Sequence, residues 1–244
     1  MIPRLILLSL LFHGAVIASA LAFGDLVPGR QIIYAGRTRG STDIFVLDVN
    51  TRLNHNLTNY PGDDSRPAWS PSGQQIVFES WRDGSRGIYV MDADGSDLRR
   101  VSADPEASEY NPQWTPDGRA IVFQSYLRGS SDAHVYRIRP DGTGLQSVPA
   151  ESAYSSATTI LRSIEPQFVD GAWGTYVIED GEKWQLTDEP LYWREPPQWS
   201  ADSRYIAYVS AGSDNDVFIL AADGALVEQI TTDGRPKSHL SWRP

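Results

Sequence analysis

The chain has 244 residues, a formal charge of −10 at pH 7 and no cysteine. That acidic balance excludes a broad nucleic-acid footprint, which needs a basic surface, and adhesion to anionic lipid by charge alone. Without cysteine there are no disulfides, no thiolate metal ligands and no lipidated N-terminal cysteine, while a hydrophobic fraction of 41% over this length suits one large all-β domain.

Residues 1–22 read as a cleavable secretory signal. Arg4 supplies the positive start, residues 5–17 are almost unbroken apolar sequence, and two overlapping small-x-small sites follow at Ala18-Ser19-Ala20 and Ala20-Leu21-Ala22. An uncleaved anchor is the alternative, since residues 5–23 are nearly long enough to span a bilayer. His13, Gly14 and the cleavage sites favour the signal. The expectation is a mature domain over residues 23–244, starting at Leu21 or Phe23, periplasmic or secreted and without stable membrane insertion.

From residue 31 onward a single grammar repeats. An apolar run at 31–35 (QIIYA) and a second strand at 44–47 are followed by a turn at Val49-Asn50 and a strand ending Asn56-Leu57-Thr58. Then comes the phrase Pro67-Ala68-Trp69-Ser70-Pro71-Ser72-Gly73, with apolar run 75–80 (QIVFES), strand 87–91, turn Asp94-Gly95 and ending Arg100-Val101-Ser102. The phrase returns at Pro112-Gln113-Trp114-Thr115-Pro116-Asp117-Gly118, with run 120–125, strand 133–138 and turn Asp141-Gly142. Weaker copies start at Pro166-Gln167-Phe168, with the ending Gln185-Leu186-Thr187, and at Pro197-Gln198-Trp199, with run 205–210, strand 216–220 and turn Asp223-Gly224. A last stub is Leu240-Ser241-Trp242. Short β-branched and aromatic runs bounded by turn residues are buried strands, and Asp-Gly supplies the positive φ of a tight hairpin.

The aromatic anchors 69, 114, 168, 199 and 242 are spaced by 45, 54, 31 and 43 residues. Four short strands at such a period are the signature of β-propeller blades, each of which buries its faces only by stacking on its neighbours. The predicted fold is therefore all-β: a propeller of about five four-stranded blades with the tryptophans wedged between them. Residues 237–242 are expected to complete the sheet begun at residue 31, closing the ring. The fourth blade is the weak one, with room for two strands after Phe168 rather than three, and residues 149–163 form an inserted polar loop before it.

The stretch from Pro67 through Ser102 resembles the WD40-like repeat of the TolB-type β-propeller family, a resemblance that covers roughly residues 29–244. It implies a periplasmic, non-enzymatic propeller. That family carries six blades and an N-terminal α/β domain. Here the repeats start almost directly after the signal, so that domain is expected to be absent and roles depending on it do not carry over.

Conserved turn phrases mark one end of such a ring as structural, which leaves the opposite end for a ligand. Its mouth is predicted from residues just before the anchors: Asp64, Arg66, Glu109, Tyr110, Asn111, Glu165, Arg194, Glu195, Lys237 and His239. Arg37, Arg39, Trp81, Arg82, Tyr126 and Arg128 surround them on neighbouring loops. Two functions are compatible. One is a monomeric binding scaffold for a protein or peptide of the cell envelope. The other is a carbohydrate-active enzyme using two of Asp64, Glu109, Glu165 and Glu195 as paired carboxylates. Charged residues at loop bends are more often solvated or ion-paired, which favours the scaffold. The Asp92–Asp97 stretch lacks EF-hand spacing and reads as a hairpin turn, and His55, His134 and His239 do not fall at metal-ligand spacing. No catalytic residue, metal or cofactor is expected.

Overall fold

The computed structural model describes residues 31–244 apart from 103, 105, 106, 128–131, 150–161, 170, 180, 189 and 212–214. The signal segment, Arg128 and most of the predicted inserted loop lie outside the described residues. Among the described residues every regular element is a strand, and the strands form five antiparallel sheets.

Sheet 1 joins β1 (Gln31–Arg37), β2 (Thr42–Asp48) and β3 (Asn54–Asn56) to the last strand, β19 (Lys237–Trp242), in the order β19-β1-β2-β3. Sheet 2 runs β4 (Asp64–Trp69), β5 (Gln75–Ser80), β6 (Gly87–Asp92) and β7 (Arg99–Arg100). Sheet 3 runs β8 (Ala107–Trp114), β9 (Ile121–Leu127), β10 (Ala133–Ile138) and β11 (Gln146–Val148). Sheet 4 has three strands, β12 (Arg162–Val169), β13 (Ala172–Glu179) and β14 (Glu182–Thr187). Sheet 5 runs β15 (Gln198–Trp199), β16 (Tyr205–Val209), β17 (Val217–Ala221) and β18 (Leu226–Gln229). The phrase Gln185-Leu186-Thr187, which closes the outermost strand in other repeats, lies in the third strand of this shorter sheet.

The second and third strands of the repeats in sheets 1, 2 and 5 are apolar on both faces because neighbouring sheets cover both. Ile33, Ala35 and Ile44 of sheet 1 pack with Trp69, Ile76 and Phe78 of sheet 2. Val77, Ile88 and Val90 of sheet 2 pack with Ile121, Phe123 and Ile138 of sheet 3. On the other side, Ile32, Tyr34 and Trp242 of sheet 1 meet Tyr205, Ala207 and Ile219 of sheet 5, whose opposite face carries Ile206, Tyr208 and Leu220 against Ile164, Val177 and Leu186 of sheet 4. The apolar clusters therefore run in the order sheet 3, 2, 1, 5, 4.

The anchors divide. Trp69 and Trp242 are buried between sheets, at 6% and 7% exposure. Trp114 and Trp199 are half-buried. The indole N–H groups of Trp114 and Trp242 reach across to the Ala68 and Gln198 carbonyls of the adjacent sheet, at 3.2 and 3.0 Å. Phe168, at the matching position of sheet 4, is 60% exposed, so the aromatic wedge does not extend to it.

The Asp-Gly turns also do more than reverse the chain. Gly95 packs on the Leu57 carbonyl, Gly142 on that of Val101 and Gly224 on that of Leu186, each the last strand phrase of the preceding repeat. Gly224 has φ +86°, and a Cβ there would run into the Leu186 carbonyl. Gly224→Ala is expected to lower stability by about 2 kcal/mol through φ strain and displaced backbone. A urea midpoint equal to that of the parent would mean the turn stands clear of sheet 4.

Candidate functional site

The innermost strands share a local irregularity. Three residues before the tryptophan in sheets 2, 3 and 1 stand Arg66, Asn111 and His239, with φ of 51°, 55° and 55°. Pairing with the next strand skips at each of them. Ser65↔Glu79 is followed by Ala68↔Val77, Tyr110↔Gln124 by Gln113↔Val122, and Ser238↔Ala35 by Ser241↔Ile33. These are β-bulges. Pro67 and Pro112, which have no N–H for the ladder, follow directly in two of them, and proline within sheets is confined to edges and bulges. A non-glycine residue at positive φ costs roughly 1–2 kcal/mol, so three at one repeat position mark a place where the fold holds strain.

The bulge sorts the predicted mouth residues into two groups. Those five before the anchor are buried in internal networks. Asp64 takes both oxygens to the Arg82 guanidinium, at 3.1 and 3.2 Å, and Arg82 lies over the Tyr60, Phe78 and Tyr89 rings at 5.0–5.5 Å. Glu109 accepts from the Ser102 hydroxyl and sits 3.6 Å from Arg100. Burial pushes both carboxyls up, against the pull of these donors. The Lys237 ammonium is enclosed by Asp216, Asp233 and the carbonyls of Asn215 and Arg235. Burial opposes the Asp216 charge, but Thr231, Lys237 and the Gly234 amide outweigh it and hold that carboxyl below its ordinary range. Glu109 and Lys237, like Asp64, are thus committed to the interior, because the bulge breaks the alternation between them and the residue three before the anchor; Arg82, on the loop after β5, is held there by Asp64. Arg194 is exposed, and Glu165 is exposed with its carboxylate bonded to Ser163 at 3.0 Å; neither lines the cavities below.

The second group converges. Arg66, Asn111, Glu195 and His239, with Gln113, Gln198 and the flanking prolines, line a cavity of about 480 Å³ between the innermost strands of sheets 2, 3, 5 and 1. A neighbouring cavity of about 390 Å³ is lined by Arg66, Tyr110, Asn111, Gln124 and Tyr126, with the two tyrosine rings edge to face at 5.4 Å. Arg66 and Asn111, which line both cavities, are held by Glu79, buried in β5. It accepts from the Asn111 amide at 2.7 Å and the Ser65 hydroxyl at 3.3 Å, and pairs with Arg66 at 3.3 Å and Arg86 at 3.5 Å. Arg86 lies over the Tyr110 and Trp81 rings at 4.2 and 5.0 Å. The His239 amide donates to Glu195 at 2.5 Å, and its imidazole is 3.7 Å from the same carboxylate. Burial holds the His239 imidazole below its ordinary value, with Arg66 pushing the same way and Glu195 opposing; at pH 7 it is neutral. Glu79 escaped the sequence reading because it sits inside an otherwise apolar run; its charge near the end of that run was the available signal.

Among the described residues there is no cluster of three or more His, Asp or Glu arranged to hold a metal ion.

Four-stranded antiparallel sheets in serial face-to-face packing, with a pocket where their innermost strands meet, define a protein of the β-propeller class. More narrowly, the chain belongs to the TolB beta propeller domain family, whose model matches residues 19–166. Over 76 residues it is 32% identical to the Tol-Pal system protein TolB of Francisella tularensis subsp. mediasiatica (strain FSC147), a match covering 30% of this chain and 18% of that protein. The chain thus spans under a fifth of the length of the curated relatives it matches. Among solved structures it is similar to TolB from Acinetobacter baumannii, at 19% identity and a TM-score of 0.46, covering 88% of this chain and 55% of that one. It is also similar to an oligogalacturonate lyase in complex with manganese, at 20% identity and a TM-score of 0.40, covering 78% and 55%.

Proposed function

We propose that this chain is an exported, non-enzymatic binding module, monomeric, whose five sheets close into a ring and whose axial cavity takes a protein or peptide segment of the cell envelope. The observation that carries this reading is the composition of the larger cavity. A cation (Arg66), a neutral imidazole (His239), a carboxylate (Glu195) and amides (Asn111, Gln113) alternate there with Pro67, Pro112 and Leu240. Such mixed lining suits a segment with both backbone amides and apolar side chains. Glycoside cleavage needs two carboxylates facing one bond about 5–9.5 Å apart. Of the four acids considered for it, Glu195 alone lines the cavity, and it is bonded to the His239 amide. Ring closure is supported by the pairing of β19 with β1, which brings both ends of the described chain into one sheet.

Site-specific photo-crosslinking in the native envelope tests the proposal. A crosslinker at Gln113, exposed in the cavity, is expected to yield a discrete protein adduct. One at Asp141, exposed in the turn between the two outer strands β10 and β11 of the same sheet, is expected to yield none. Adducts from Asp141 alone, or from neither position, would overturn it.

A further inference from the structure

The bulge amides obey a rule with one departure. In sheet 3 the Asn111 N–H is received by Glu79 of sheet 2, and in sheet 1 the His239 N–H is received by Glu195 at the lead into sheet 5. In both cases a carboxylate from the sheet packed before it closes the bulge. Sheet 2 has the same bulge at Arg66, and the sheet packed before it is sheet 1. The residue there that matches Glu79 is Ala35, which pairs with Ser238 as Glu79 pairs with Ser65. The residue matching Glu195, four before the anchor, is Ser238. Neither is acidic.

The departure falls where the positive charge is greatest. Arg66 is the one cationic member of the three bulge residues at pH 7, its side chain is 46% exposed, and it lines both cavities beside Asn111, with His239 across the larger one. Its ion pair with Glu79 engages Nε, and no described side chain pairs with the terminal nitrogens. A guanidinium with its fork presented to a partly dry pocket is the group best matched to a carboxylate. The geometry points to a ligand carboxylate as the third acid of the set: an acidic side chain or C-terminus of the bound peptide, seated between Arg66 and His239 on the sheet 1 side of Arg66. This rests on the peptide reading above and adds the charged group by which the segment is held.

Purified protein titrated with N-acetyl-alanine, with neutral N-acetyl-alaninamide and with galacturonate, while the Arg66 Nε–H resonance is followed by NMR, tests both levels. N-acetyl-alanine is expected to shift that resonance saturably, with the amide at least tenfold weaker. Ser238→Glu places the protein's own acid at the position matching Glu195. It is expected to weaken N-acetyl-alanine at least tenfold with an unchanged melting temperature, and Arg66→Gln to weaken it similarly when read from the Asn111 amide. Equal response to acid and amide, or unchanged affinity in Ser238→Glu, would overturn the carboxylate site. Galacturonate binding more tightly than N-acetyl-alanine, with the same dependence on Arg66, would keep the site and overturn the peptide reading.

Discussion

A chain cut before Lys237 is expected to lose its cooperative melting transition and to aggregate. β19 supplies the innermost strand of sheet 1, pairing from Ile32↔Trp242 to Gly36↔Lys237. Without it the β1 edge is open along its length, and an exposed flat edge invites pairing with other chains. Trp242 also leaves the cluster it shares with Tyr205, Ala207 and Ile230, which alone costs about 3–5 kcal/mol on the scale of large-to-small core changes. Arg243 goes too; its backbone amide bonds the Gln31 carbonyl at 2.8 Å and its guanidinium lies 5.1 Å from the Trp69 ring centroid. The Lys237 ammonium leaves Asp216 without its buried cation. Against a total stability of roughly 5–15 kcal/mol these losses are decisive. Circular dichroism melts with light scattering check it; an unchanged midpoint and clear solution would show that the strand is dispensable and the ring is not held through it.

The second large effect is at Glu79. Glu79→Ala is expected to cost about 3–5 kcal/mol, since removing one partner of a buried pair leaves the others desolvated and uncompensated. Here the others are Arg66, Arg86 and the Asn111 amide. Arg66 and Arg86 keep some contact with water, which places the expectation at the lower end of that range. Glu79→Gln retains an acceptor for Asn111 and is expected to cost less than half as much. Glu165→Ala, on an exposed carboxylate, should change stability by under about 0.5 kcal/mol. Urea unfolding compares the three; a Glu79→Ala loss no larger than that of Glu165→Ala would mean that Glu79 is solvated.

How far the sequence could be read follows from period and exception. Trp69, Trp114, Trp199 and Trp242, each two residues after a proline or leucine, announced the repeat, and the apolar runs behind the first three are central strands of their sheets. Phe168 looked equivalent in sequence and is exposed in a sheet of three strands. Of the predicted mouth residues, Arg66, Asn111, Glu195 and His239 line the larger cavity and Tyr110 the second. Arg82 was drawn in from a neighbouring loop; Glu109 and Lys237, five before their anchors, were grouped with Asn111 and His239, three before theirs, as residues just before the anchors. The bulge inserts one residue between them, sending the former inward and the latter into the cavity. Pro67 and Pro112 were the visible hint of that irregularity; at His239 the following residue is Leu240, and the sequence offers none.

The pairing of Ile32 with Trp242 joins positions 210 residues apart, so the sheet that holds both ends of the described chain cannot form while the protein is still being synthesised. Closing so long a loop is entropically costly, and folds dominated by distant pairings are slow to form. Sheets 2 and 3 can assemble from local hairpins, but sheet 1 must wait for the last residues to emerge. On the export proposed above, a chain passed unfolded through a narrow secretion pore would profit from that delay, since it stays threadable until β19 is through.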